Sequence, residues 1–103
     1  MKIVRVHYTI ATEFVARNKE NIAGVADELR AINHPGIKYS TYLLPDGKTF
    51  MHFDHFENEE AHQTLMGLQS FKKFETELWS CRFETEPKLE ILSLVASSTD
   101  ILG

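Results

Sequence analysis

A chain of 103 residues with 43% hydrophobic content is long enough to bury one core and too short for two, so a single domain over residues 1–103 is expected. The net charge of -4, with Lys and Arg scattered along the chain, gives no electrostatic footprint for nucleic acid or an anionic membrane. No apolar stretch approaches the ~20 residues that would span a bilayer. The lone Cys81 cannot form an internal disulfide and the first residues lack the apolar run of a signal peptide, so a reducing, cytoplasmic setting is expected.

Residues 2–10 alternate Val4, Val6, Tyr8 and Ile10 against Arg5, His7 and Thr9, the period of a strand. Thr12 can cap a following helix in which Val15, Ile22, Val25, Leu29 and Ile32 recur at helical spacing, and Asn33-His34-Pro35-Gly36 ends it. Asn18 falls on that apolar stripe, where an amide needs a partner from the sheet, a water or a ligand. Gly24 within the helix suggests a close approach to the sheet.

Residues 37–44 read as a second strand, and Pro45-Asp46-Gly47 as the turn of a hairpin, because Pro presets φ, Asp bonds locally and Gly accepts positive φ. The third strand carries Phe50, His52, Asp54 and Phe56 on one face and Thr49, Met51, Phe53 and His55 on the other. Asn58 is placed to cap a second helical region over residues 59–78, with Glu59 and Glu60 in its first turn and an interruption near Gly67 and Ser70. Residues 81–87 read as a connection and 88–95 as the last strand. Residues 96–103 form a tail that stays loose unless Ile101 and Leu102 find a partner surface.

The order β-α-β-β-α-β implies an α+β, ferredoxin-like sandwich: an antiparallel sheet with two helices on one face. Apolar side chains on both sides of every strand predict that the second face is covered as well, most simply by the same face of another copy in a homodimer.

The run Phe50-Met51-His52-Phe53-Asp54-His55-Phe56-Glu57-Asn58-Glu59-Glu60-Ala61, continuing to Phe71-Lys72-Lys73-Phe74, resembles the dimeric α/β-barrel superfamily and, within it, antibiotic-biosynthesis-monooxygenase-like proteins. The resemblance spans nearly the whole chain. It implies paired ferredoxin-like subunits, a small cavity between sheet and helices, and oxidation of an aromatic or quinol-like compound by molecular oxygen without a cofactor. Asp54 matches the family's acidic position and Phe56 the aromatic that follows. Leu65 stands where many members place a helical His, and the strand-one Asn and strand-three Trp of haem-degrading relatives are also unmatched, which disfavours haem degradation.

Two apart on one strand face, His52 and Asp54 lie about 6–7 Å apart along the backbone, near enough for the carboxylate to orient the imidazole as a general base. The same two residues can instead form a satisfied polar pair in a dimer interface. His7 is a candidate third catalytic group from the neighbouring strand. Phe50, Phe56, Leu65, Phe74, Asn18 and Tyr42 are candidate contacts for a small hydrophobic or aromatic ligand. No metal site is expected, since His55 faces away from His52 and zinc needs three or four convergent ligands. A non-catalytic ligand-binding or stress-response barrel and an isomerase that shuttles a proton are the alternative functions.

Overall fold

The computed structural model describes residues 1–102. Its elements are β1 (Lys2–Ile10), a short 3-10 turn (Thr12–Phe14), α1 (Val15–Ile32), β2 (Ile37–Leu43), β3 (Thr49–Phe56), α2 (Glu59–Gly67), α3 (Gln69–Ser80) and β4 (Phe83–Leu92). The strands form one antiparallel sheet in the order β2-β3-β1-β4, the ferredoxin-like arrangement. Gly103, the end of the predicted loose tail, lies outside the described residues. Ile101 and Leu102 do find a surface, bordering a shallow recess with Met1 and Leu94.

Local chemistry explains most boundaries. Asn58 Oδ1 accepts from the Ala61 amide at 3.0 Å, so the predicted cap opens α2. Gly47 has φ +76°, and Asp46 Oδ1 accepts from the amides of Lys48 and Thr49, closing the β2–β3 hairpin as its turn residues require. Thr12 does not cap α1: it begins the 3-10 turn, and α1 starts at Val15 without a side-chain cap. The break in the second helical region falls at Leu68, whose extended backbone separates α2 from α3. Leu68 offers α3 no cap of its own. The Glu28 carboxylate of α1 supplies one, accepting from Ser70 N at 3.1 Å and Ser70 Oγ at 2.6 Å.

The last strand departs from expectation. It begins at Phe83 rather than residue 88 and ends at Leu92, leaving Leu94 and Val95 exposed. Pro87 reads as a breaker in the sequence, but β4 is an edge strand, where a missing N–H costs no ladder bond, and the register against β1 shifts between His7 and Ile10.

One face of the sheet meets the helices. There Tyr8, Ile10, Phe50, Phe56, Val25 and Leu65 are almost fully buried. Gly24 makes no close approach to anything, so its place in α1 is permissive and not a packing requirement. The opposite face is mixed where uniform apolarity was expected: Ile3, Met51, Phe53, Tyr42 and Leu92 sit among Arg5, Glu90, His7, His55 and Lys38. Arg5 Nη1 donates to Glu90 Oε1 at 2.9 Å across β1 and β4 on that face.

Replacing Asn58 with Ala is expected to destabilise the protein by about 1 kcal/mol, read from urea unfolding midpoints at unchanged slope. An unchanged midpoint would show that the first turn of α2 is held by packing alone.

Candidate functional site

Between the helix-facing side of the sheet and the helices α2 and α3 lies a cavity of about 340 Å³. Its sheet wall is Val4, Val6 and Tyr8 of β1 with His52 and Asp54 of β3. The helical wall is Leu65 of α2 and Phe71, Phe74 and Leu78 of α3, at the three- and four-residue spacings that align side chains along one helix face. Met66, Trp79 and Leu89, all exposed, border it on the outside. A small, mainly apolar cavity with a few polar groups is the usual form of a small-molecule site.

A chain of hydrogen bonds crosses the polar side of the cavity. Asn18 Nδ2 donates to the Tyr8 oxygen at 2.9 Å, and Tyr8 Oη is 2.8 Å from His52 Nε2. Thr41 Oγ1 lies 3.0 Å from His52 Nδ1. With the Tyr8 oxygen already accepting from Asn18, its proton is free for Nε2, so the ring proton sits on Nδ1 and is donated to Thr41. His52 is thereby satisfied at both nitrogens. Burial pushes its pKa down from 6.5 to about 4, so the imidazole is neutral at physiological pH.

Asp54 is the opposite case. It is only 8% exposed, yet its Oδ1 has no hydrogen-bond partner among the described residues. Burial raises its carboxyl from 3.8 to about 7. Tyr39, its cross-strand partner on β2, has a buried hydroxyl that is likewise unpaired. The Tyr39 phenol is pushed up by burial first and further by the charge of Asp54, with the nearby Thr41 hydroxyl working the other way without reaching hydrogen-bonding geometry.

The expected His52–Asp54 pair is therefore absent. Two positions on one strand face bring the residues near each other, but Tyr8 and Thr41 orient the imidazole and the carboxyl stands alone. His7 is not beside His52: it pairs with Met51 and lies on the open face. Tyr42 is on that open face too, its ring against Phe53, and is 58% exposed. Phe50 is buried in the core, stacked on Tyr8, and with Thr41 and Tyr42 borders a separate recess of about 220 Å³. Asn18 acts one step away from the cavity through Tyr8, and Phe56 acts through His62, on which it stacks at 4.5 Å. Leu65 and Phe74 line the cavity as expected.

Thr41 and His62 join the site without standing out in the sequence as site residues, though both left a signal there. Thr41 and His52 are equally distant from the Asp46–Gly47 turn, so hairpin arithmetic places them opposite each other, as observed. His62 precedes Leu65 and Met66 by three and four positions, the spacing of one helix face. Nothing in the sequence distinguished Tyr8 from a packing tyrosine.

No protein-family model matches this chain, and no curated protein matches its sequence. Solved structures match its fold. A crystal structure of an antibiotic biosynthesis monooxygenase is 10% identical, with 93% of this chain and 100% of that one covered at TM-score 0.75. Rv0793 from Mycobacterium tuberculosis is 12% identical, covering 95% and 98% at TM-score 0.77. A protein from Bacteriodes thetaiotaomicron VPI-5482, provisionally named an antibiotic biosynthesis monooxygenase, is 10% identical, covering 97% and 94% at TM-score 0.82. The chain thus has the ferredoxin-like fold of antibiotic-biosynthesis-monooxygenase-like structures. Among the described residues no helix is long and apolar enough to cross a membrane.

The two buried groups have opposite linkage to pH. Folded Asp54 keeps a proton that the unfolded chain releases above pH 3.8, so its contribution to stability falls as pH rises to about 7. Unfolded His52 gains a proton below pH 6.5 that the folded state refuses until about pH 4, so its contribution rises over that window. They nearly cancel in the wild type. Asp54→Asn removes one side: its stability relative to wild type is expected to grow from pH 4 to 7, by up to about 4 kcal/mol. Urea melts at several pH values measure this, and a pH-independent difference would mean that burial leaves the Asp54 carboxyl at its ordinary value.

Proposed function

We propose that this protein is a cofactor-independent monooxygenase that takes a small aromatic or quinol-like compound into the cavity, with Asp54 as its proton acceptor. The observation that carries this reading is a carboxyl without a partner on the wall of an apolar cavity, with a pKa of about 7. A base whose pKa lies near the working pH is suited to removing a proton from a phenolic O–H or an activated C–H. The resulting anion gives one electron to oxygen, the radical pair closes a C–O bond, and the peroxide takes the proton back from Asp54. Loss of water leaves a carbonyl. The balance is CH₂ + O₂ → C=O + H₂O, with all electrons supplied by the substrate. His52, neutral and bonded at both nitrogens, positions the Tyr8 hydroxyl in the wall and is not the base.

Oxygen uptake with anthrone and naphthoquinol tests this. The expected result is a kcat/KM that rises with pH through about 7 as Asp54 ionises, and a loss of roughly 100-fold or more in Asp54→Asn. Equal rates in the two proteins would remove Asp54 from the mechanism. The saturated His52 favours a second reading, a ligand-binding barrel without catalysis, for which binding with no turnover is the signature. A change in substrate absorbance without oxygen uptake would favour an isomerase that uses the same carboxyl as a shuttle.

The working unit in this proposal is a homodimer joined through the open sheet faces, in a reducing cytoplasmic compartment that suits the single Cys81. Phe53, Met51 and Tyr42 form the apolar part of that face, the Phe53 and Tyr42 rings meeting edge to face at 6.1 Å. Phe53→Glu is expected to convert the dimer into a monomer in light scattering behind a sizing column. A monomeric wild type would overturn the pairing.

A further inference from the structure

The proton transfer proposed above leaves a second polar group of the cavity wall without a task. His62, in α2, lines the cavity, and its side chain is only 20% exposed. Its ring stacks on Phe56 with centroids 4.5 Å apart and planes 25° from parallel. Lys2 Nζ approaches His62 Nδ1 to 3.0 Å. An ammonium has hydrogens to give and no lone pair, so Nδ1 is the acceptor and the ring proton is fixed on Nε2. Glu59 Oε2 holds the same ammonium at 3.3 Å, which keeps Lys2 in place behind the imidazole. The side-chain contacts of His62 among the described residues are all made by Nδ1, leaving Nε2 without a hydrogen bond.

Burial, and then the charge of Lys2, lower the pKa of His62, with Glu59 opposing them in part, so the ring is neutral at pH 7 and keeps this single tautomer. The position of the group matters as much as its state. Phe56 follows Asp54 by two residues on the same face of β3, and His62 rests on Phe56, so the donor and the carboxyl share one end of the cavity. Besides the Tyr8–His52 pair, which is bonded to itself, and the exposed Glu75, whose carboxyl is also raised by burial, the wall thus offers one fixed N–H and the Asp54 carboxyl.

We infer that the Nε2–H of His62 is the donor that selects ligands by an acceptor oxygen, so that the cavity takes a small aromatic ketone or phenolate in preference to a plain hydrocarbon. Lys2 is a positioning residue that acts by fixing the tautomer. The inference rests on the cavity being a small-aromatic site, and it names what such a compound must carry. A volume of about 340 Å³, near the lower end for ligand pockets, suits a frame of two or three fused rings. On such a frame a single hydrogen bond to a neutral donor changes affinity by up to about tenfold.

The test compares 1-tetralone with tetralin, the same bicyclic frame without the oxygen. Binding is followed by calorimetry and by fluorescence of Trp79, the chain's single tryptophan, at the cavity border. Wild type is expected to prefer the ketone about tenfold. His62→Phe, which keeps a ring to stack on Phe56, is expected to lose that preference while holding tetralin within twofold. Lys2→Met frees the imidazole to turn its Nδ1 proton toward Glu59 Oε1, 3.8 Å away, leaving Nε2 as an acceptor. Preference should then move from 1-tetralone to 1-tetralol, a change that loss of structure does not produce.

Equal affinity for ketone and hydrocarbon in the wild type, or a ketone preference that survives His62→Phe, would overturn the role of His62 and leave the cavity reading standing. A ketone preference unchanged in Lys2→Met would overturn the tautomer lock. Failure of both compounds to bind up to their solubility limits would sink the cavity reading and this inference with it.

Discussion

Burying a histidine in an apolar layer takes two hydrogen-bonding nitrogens out of water, and a folded chain tolerates this only if both find partners. Here they are found on two neighbouring strands, Tyr8 on β1 and Thr41 on β2, and Tyr8 is itself held by Asn18 from α1. One helix and three strands are therefore tied through a single imidazole. Each bond adds little on its own, but removing any member leaves the next one buried and unpaired, a loss larger than the bond itself. That network also settles which group stays free. With His52 spent on structure, Asp54 is the ionisable side chain left on the sheet wall without a partner.

The same cavity acts on charge without regard to sign. It denies a proton to His52 and refuses to release one from Asp54, so both groups are neutral over much of the range in which free histidine or aspartate would be ionised. Neutrality has different consequences for the two. The imidazole becomes a fixed element of the wall, whereas the carboxyl is brought to the middle of the physiological range, where a small change in its surroundings decides its protonation. An entering ligand that displaces water or offers a donor is such a change.

The sequence carried the architecture in features that report on backbone alone. Alternation in residues 2–10 and 49–56, the Pro45-Asp46-Gly47 turn, the Asn58 cap and the interruption near Gly67 all hold because each depends on local stereochemistry or on a two- or four-residue period. The start of β4 was hidden because a proline means different things at the centre and the edge of a sheet, and strand order is not a local property. The open face read as apolar because alternation counts hydrophobic residues without weighing Arg5, Glu90 and Lys38 between them. The site was less legible still. Spacing along β3 placed His52 and Asp54 on one face, but which of them is satisfied depends on Tyr8 and Thr41, which reach it from other strands. His7 fell on the wrong side because strands one and three align even positions with even positions, a register that one strand read alone does not reveal.

Pro87 bears on more than the boundary it obscured. A sheet with open edges offers unpaired amides and carbonyls to any passing strand, and β4 is one of the two edges here. At residue 87 that edge has no amide to give, and its ring obstructs a strand drawn alongside. Lateral growth of the sheet from the β4 side is thus blocked at the position where β4 also helps to wall the cavity.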